Sequence, residues 1–159
     1  MPTEIVVGPD ECRLAQRGEV LLARRVASDW AVAIHQPAAG AGVLMRFAGQ
    51  PDQAIRQALL VTRSLAGGVT GARHGWRAYV IGGAIASGDN AAARLARSSR
   101  LAIEASLWRE GVLLKGDDTG GQRARSVYFD PTTGRLIVRS ARTLAPVIQE
   151  IPLPCPLAS

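Results

Sequence analysis

The sequence predicts an α+β layered domain in which strands outnumber helices. Short apolar runs separated by polar breaks recur along the chain, only two long stretches show helical spacing, and Asp130-Pro131-Thr132-Thr133-Gly134 has the composition of a hairpin loop between antiparallel strands. A length of 159 residues is one domain's worth. Apolar residues at 47% and charged residues at 20% suit a chain that buries a core.

Ile5–Val7, Val20–Arg25 and Trp30–His35 read as short strands, and Pro37–Gly42 as a loop from which Val43–Phe47 returns as a strand. Asp52, just after Pro51, is placed to cap a helix over 53–66. Ile55, Ala58, Leu59, Thr62, Leu65 and Ala66 share one face of it, and Gly67 supplies its C-cap. Ala78–Ile81 is a short buried strand ending in Gly82-Gly83. A second helix runs from about Asn90 to Arg109, with Leu95, Ala102, Ile103 and Leu107 as its apolar face and Gly111 as its stop. Val112–Lys115 and Arg125–Phe129 read as strands flanking Asp118-Thr119-Gly120-Gly121, and Arg135–Ser140 closes the hairpin. Residues 1–140 therefore make the domain. The extension 141–159, with Pro152, Pro154 and Pro156, is expected to be extended and mobile.

Composition narrows the function classes. No apolar run reaches the ~18 residues of a membrane span, and MPTEIVVG is not a signal segment, so a soluble, cytoplasmic protein without membrane insertion is expected. Cys12 and Cys155 sit near opposite ends and are expected to be reduced thiols. With His35 and His74 as the two histidines and no CxxC pair, no metal is expected. Gly40-Ala41-Gly42 lacks the third glycine and following helix of a dinucleotide loop, so no cofactor is expected either. The net charge of +6 comes from 18 Arg and Lys115 without a basic stripe at helical spacing, which argues against nucleic acid as partner. Asp118-Thr119-Gly120 matches the triplet of retroviral-type aspartic proteases. It follows Lys115-Gly116-Asp117 rather than an apolar strand end, which argues against that chemistry. Gly82-Gly83 taken alone allows either a close backbone approach to a ligand or a tight turn.

One block is far more specific. Gly116-Asp117-Asp118-Thr119-Gly120-Gly121-Gln122-Arg123-Ala124-Arg125, continued by Ser126–Asp130 and Thr133–Arg139, joins acidic residues, a Gly-Gly turn, an Arg-rich link and a hairpin with a Thr-Gly turn. It resembles the C-terminal signature of the CheD family of chemoreceptor glutamine deamidases. Val7-Gly8, Ala78–Ala84 and the passage from Leu107 to Leu114 are similar to further pieces of that family, so the resemblance covers residues 5 to 140. It implies a three-layer α-β-β sandwich of mostly antiparallel or mixed sheets, with two main helices on one face and the site at the strand ends. The partners it implies are cytoplasmic helices of chemoreceptors (methyl-accepting chemotaxis proteins) or a CheC-type phosphatase.

The chemistry implied by the resemblance needs a Cys thiolate to attack a Gln carboxamide, a His to shuttle the proton, and a Thr to orient the His. The resemblance puts these roles on Asp29, Arg46 and Ala23. All three are vacant. No Cys lies between Cys12 and Cys155 and no His between His35 and His74, so a shift of one residue does not restore them. A carboxylate is a poor nucleophile toward an amide, and Arg cannot act as a base near neutral pH. Asp29 and Arg46 either pair, keeping the signs of a thiolate–imidazolium couple, or each points to solvent. The expectation is a catalytically inactive binding protein, with Ser28, Asp29, Arg46, Gly82, Gly83, Thr119, Gly120 and Gly121 as candidate contact residues. Two readings stand beside it: a hydrolase with relocated chemistry using Asp29, Asp118 or Cys12, and a basic adaptor for nucleic acid or another acidic partner. For Cys12 a partly exposed structural thiol is the favoured role.

Overall fold

In the computed structural model, two helices cover one face of a pair of stacked five-stranded sheets. The structure describes residues 1–65, 75–86, 88–140 and 148–152, and of 63–65 and 148–152 the backbone. The first sheet runs β1-β3-β8-β9-β10, formed by Thr3–Val6, Glu19–Val26, Arg125–Asp130, Arg135–Ser140 and Ile148–Pro152. The second runs β2-β5-β4-β6-β7, formed by Cys12–Ala15, Ala41–Phe47, Trp30–Gln36, Arg77–Gly82 and Leu113–Thr119. Neighbouring strands are antiparallel except β1–β3 and β6–β7. The helices are α1 (Pro51–Leu65) and α2 (Asn90–Arg109).

The apolar run of β4 makes it the centre of the middle layer, because a strand covered on both faces has no solvent side to alternate toward. All seven of its residues are buried. Trp30, Val32 and Ile34 face the helices, where they meet Met45, Ile55, Leu59, Val80, Ile103 and Leu107. Ala31 and Ala33 face the first sheet, whose Leu21, Val127, Phe129 and Leu136 fill the space left by those small side chains. The result is the α-β-β sandwich, with both helices on one side.

Several local expectations need correction. Pro51, not Asp52, opens α1, and the carbonyl of Gln50 accepts the first helical hydrogen bond from Ala54. The Asp52 carboxylate is free to pair with Arg109 at the end of α2, at 2.5 Å, and its pKa is lowered by hydrogen bonding to Ser106 and Arg109. Asp89 caps α2 through the Ala92 amide at 2.9 Å. Leu95 is 69% exposed rather than part of the buried face, whose residues are Ile103, Ser106 and Leu107. Strand β7 runs on through Asp117, Asp118 and Thr119, because their backbone pairs in parallel with β6. Cys12 begins a strand instead of a polar link. Residues 148–152 are extended, as expected, and pair antiparallel with β9. The Gly67 cap, His74 and Cys155 lie outside the described residues.

His35 pins the end of β4 to the β8–β9 hairpin, its Nε2 donating to the Pro131 carbonyl at 2.9 Å, with Phe129 edge-on to the ring. Desolvation pushes this buried imidazole below its ordinary pKa of 6.5. The unfolded chain then takes up the proton at a higher pH than the folded one, so this contribution is complete above 6.5 and is lost as pH falls below it. Denaturation midpoints at about pH 7.5 and about pH 5 should therefore show lower stability at the acid value. His35→Gln, which keeps a donor for Pro131 but does not titrate, should narrow that difference, and an unchanged difference would remove His35 as its cause.

Candidate functional site

At one end of the two sheets, the chain between β3 and β4 folds against the ends of β6 and β7. The β3–β8 register shifts between Ala23 and Val26, and Arg25 sits in the left-handed region with φ +54°. This bulge exposes the carbonyls of Arg24 and Arg25. Arg46, near the end of β5, donates from Nη1 and Nη2 to those two carbonyls, at 2.7 and 2.9 Å. Its Nε donates to Asp29 Oδ2 at 2.5 Å. The other oxygen of Asp29 accepts from the Ala27 amide at 2.9 Å, closing the turn on itself. The two side chains are only 11% and 19% exposed, so the pair is poorly screened and neither group points to solvent. Of the two alternatives left by the sequence, pairing is the one observed.

The glycines serve this same turn. Gly83 donates to the Asp29 carbonyl at 3.0 Å, and Ala84 to the Ala27 carbonyl at 2.7 Å. Gly82 has φ +120°, and a Cβ there would collide with the Asp29 carbonyl oxygen; one at Gly83 would enter the Trp30 ring. The close approach that Gly82-Gly83 permits is therefore to the chain's own backbone. Beyond them, Gly120 donates to Gly82 at 2.9 Å and Gly121 accepts from Ile85 at 2.8 Å. Buried Arg125 ties in this last turn, donating from Nη2 to the Gly120 carbonyl at 2.7 Å. Its Nε lies 3.1 Å from Asp118 Oδ1, an ion pair off the hydrogen-bonding direction. Ser28, Asp29, Arg46, Gly82, Gly83, Thr119, Gly120 and Gly121 thus gather at one strand end, where Ser28 and Gly121 are exposed while Gly82 and Gly83 are buried beneath them and do not face a partner. Ala23 is fully buried in the core between the sheets.

The described sulfur and imidazole stand elsewhere. Cys12 pairs with Met45 and packs with it against the core beneath the helices, whereas Arg46, the next residue, projects from the opposite face of that sheet. Burial raises the Cys12 thiol to about 11. His35 lies at the far end of β4, about 16 Å along the strand from Trp30 at the usual strand rise. Among the described residues, no group of three or more His, Cys, Asp or Glu side chains comes together to hold a metal. None of their helices is long and apolar enough to cross a membrane.

The family model described as CheD chemotactic sensory transduction matches residues 52–140, more than half of the chain. The chain belongs to the CheD family. It is also 28% identical over 149 residues to the probable chemoreceptor glutamine deamidase CheD of Solibacter usitatus (strain Ellin6076), covering 84% of this chain and 86% of that relative. The protein is therefore a CheD-like, chemotaxis-related protein. The CheD family match begins after Arg46, so it rests on α1, β6, α2 and the Gly-Gly and Thr-Gly turns, not on the Asp29–Arg46 segment. The bulge carbonyls of Arg24 and Arg25, and Arg125 beneath the Gly-Gly turn, belong to this strand-end cluster and were not among the residues singled out by sequence. The bulge leaves no residue-type signature in Leu22-Ala23-Arg24-Arg25, and only the Arg-rich character of the link hinted at Arg125.

Gly82→Ala should lower stability by about 2–4 kcal/mol, from backbone strain at positive φ together with displacement of the Asp29 carbonyl. A thermal or denaturant midpoint matching the wild type would contradict this packing. Cys12, held as the neutral thiol, should alkylate far more slowly with iodoacetamide near neutral pH than a free peptide cysteine. Peptide mapping that found it modified at the free-thiol rate would contradict the burial.

Proposed function

We propose that this CheD-family chain binds the cytoplasmic helices of chemoreceptors at its strand-end surface without deamidating them, a CheC-type phosphatase being the other partner the family resemblance allows. The observation that carries the reading is the Arg46 guanidinium, which is committed to Asp29 and two carbonyls at the positions assigned to the catalytic pair. Amide hydrolysis requires a nucleophile that attacks the carboxamide carbon and a base that takes its proton and returns it to ammonia. Asp29 is held by two hydrogen bonds and attacks amides poorly as a carboxylate, while Arg46 keeps its proton at all physiological pH values. The same pair preserves the negative–positive order of a thiolate–imidazolium couple, so an approaching helix meets a similar local field. The turns at Ser28 and Gly120-Gly121 around it are held in place by the backbone hydrogen bonds to Gly82, Gly83 and Ile85.

The test is incubation of the purified protein with chemoreceptor cytoplasmic domains, read by intact and peptide mass spectrometry alongside a binding titration. The expected result is a complex with no gain of about one dalton per Gln over the buffer control, because hydrolysis of –CONH2 to –COOH is the mass change that deamidation leaves. Ser28→Trp, at an exposed position of the turn, should weaken the complex about tenfold or more. Conversion of receptor Gln to Glu above the control would overturn the reading, as would failure to bind both the receptor domain and the phosphatase.

A further inference from the structure

The solvent face of α2 carries a second feature unrelated to the strand-end surface. Arg94, Ser98, Leu101, Ala105 and Trp108 are all exposed, with Leu101 61% and Trp108 82% open to solvent. Their spacing alternates four and three residues, the interval that keeps side chains in line along one helix face. The line lies away from Ile103, Ser106 and Leu107, the residues α2 buries. A Trp so exposed, in line with Ala105 one turn away and Leu101 two turns away, has the composition of an interface anchor rather than of ordinary surface.

We propose that this stripe is a self-association surface, on which α2 of a second copy packs antiparallel about a twofold axis through Leu101. The choice of a second copy follows from the stripe's own symmetry. Arg94 and Trp108 lie seven residues to either side of Leu101, so antiparallel pairing lays the guanidinium of one copy over the indole of the other, twice. On the flank of the stripe, Arg97 precedes Leu101 by four residues and Glu104 follows it by three. Antiparallel helices bring like flanks together, so each Arg97 faces Glu104 of the second copy. Within the described chain, Glu104 pairs with Arg100 at 3.2 Å, and Arg100 also reaches Asp117 at 2.5 Å. Arg100 therefore has a second carboxylate to hold when Glu104 is shared. Leu101 meets its own copy on the axis. Residues 94–108 span about 21 Å of helix, a contact at the small end of specific interfaces, and the net charge of +6 opposes it. The dimer is accordingly weak and concentration-dependent.

Sedimentation equilibrium of the full chain from roughly ten micromolar to several hundred micromolar tests this, at the affinities such small interfaces reach. The wild type should shift reversibly from monomer to dimer. Leu101→Glu, which sets two carboxylates face to face on the axis, and Trp108→Ala should each weaken the dimer at least about tenfold while leaving the circular dichroism spectrum and melting temperature intact. Arg97→Glu and Glu104→Arg should each weaken it, and the double exchange should restore it, which only a symmetric Arg97–Glu104 contact achieves. A wild type that stays monomeric throughout overturns the proposal and leaves the stripe to a different protein. A dimer indifferent to Leu101→Glu overturns it as well, placing the interface elsewhere.

Discussion

The end of the sandwich that defines this protein is organised by one guanidinium. Arg46 reaches from β5 to Asp29 in the β3–β4 turn and to two carbonyls exposed by the β3 bulge, so a single side chain ties β5 to the whole stretch 24–29. Its planar fork suits that task, because several donors leave one rigid group in fixed directions. The Asp29 and Arg46 side chains are mostly covered, so the charge-assisted contacts they make are poorly screened by water. Breaking the contact would therefore loosen the β3 bulge and the β3–β4 turn together. Gly82 at the end of β6 and Gly83 just after it close the same unit from below: the turn held by Arg46 is the one whose carbonyl rests on them.

That unit depends in turn on the buried middle sheet. β4 starts at Trp30, directly after the clamped turn, and has no exposed residue along its length. Side chains of opposite size on its two faces set how closely each neighbouring layer approaches. The large Trp30, Val32 and Ile34 hold the helices off, and the small Ala31 and Ala33 let the first sheet come near. Position 23, where the resemblance would place an orienting hydroxyl, lies in this inter-sheet core, and there alanine packs without any polar group to satisfy.

Much of this architecture was legible in the residues. The continuous apolar run of β4, the helical spacing of Ile55, Ala58, Leu59 and Thr62, and the Asp-Pro-Thr-Thr-Gly hairpin specify local structure strongly enough to survive packing. What was missed depends on partners distant in sequence. The Cys12–Ala15 segment has no strand composition and is a strand because β5 offers it a free edge. Asp117-Asp118-Thr119 reads as a turn, and parallel pairing with β6 makes it extended. Leu95 has the right helical interval for the core, yet it is one turn from the start of α2 and stays 69% exposed. At the site, the charges of Asp29 and Arg46 suggested that they could meet. That Arg46 would also hold the Arg24 and Arg25 carbonyls was invisible, since backbone acceptors carry no signature in the sequence.

The CheD family model matches residues 52–140, and the clamp is built from residues before them. Asp29 and Arg46 act as one structural unit, each fixing the place of the other. A double-mutant cycle of Asp29→Ala and Arg46→Ala, measured by denaturant unfolding, addresses that directly. The coupling energy should be about 1–3 kcal/mol, the double variant losing clearly less than the two single losses added together. Strictly additive losses, with no coupling beyond the error of the measurement, would contradict it.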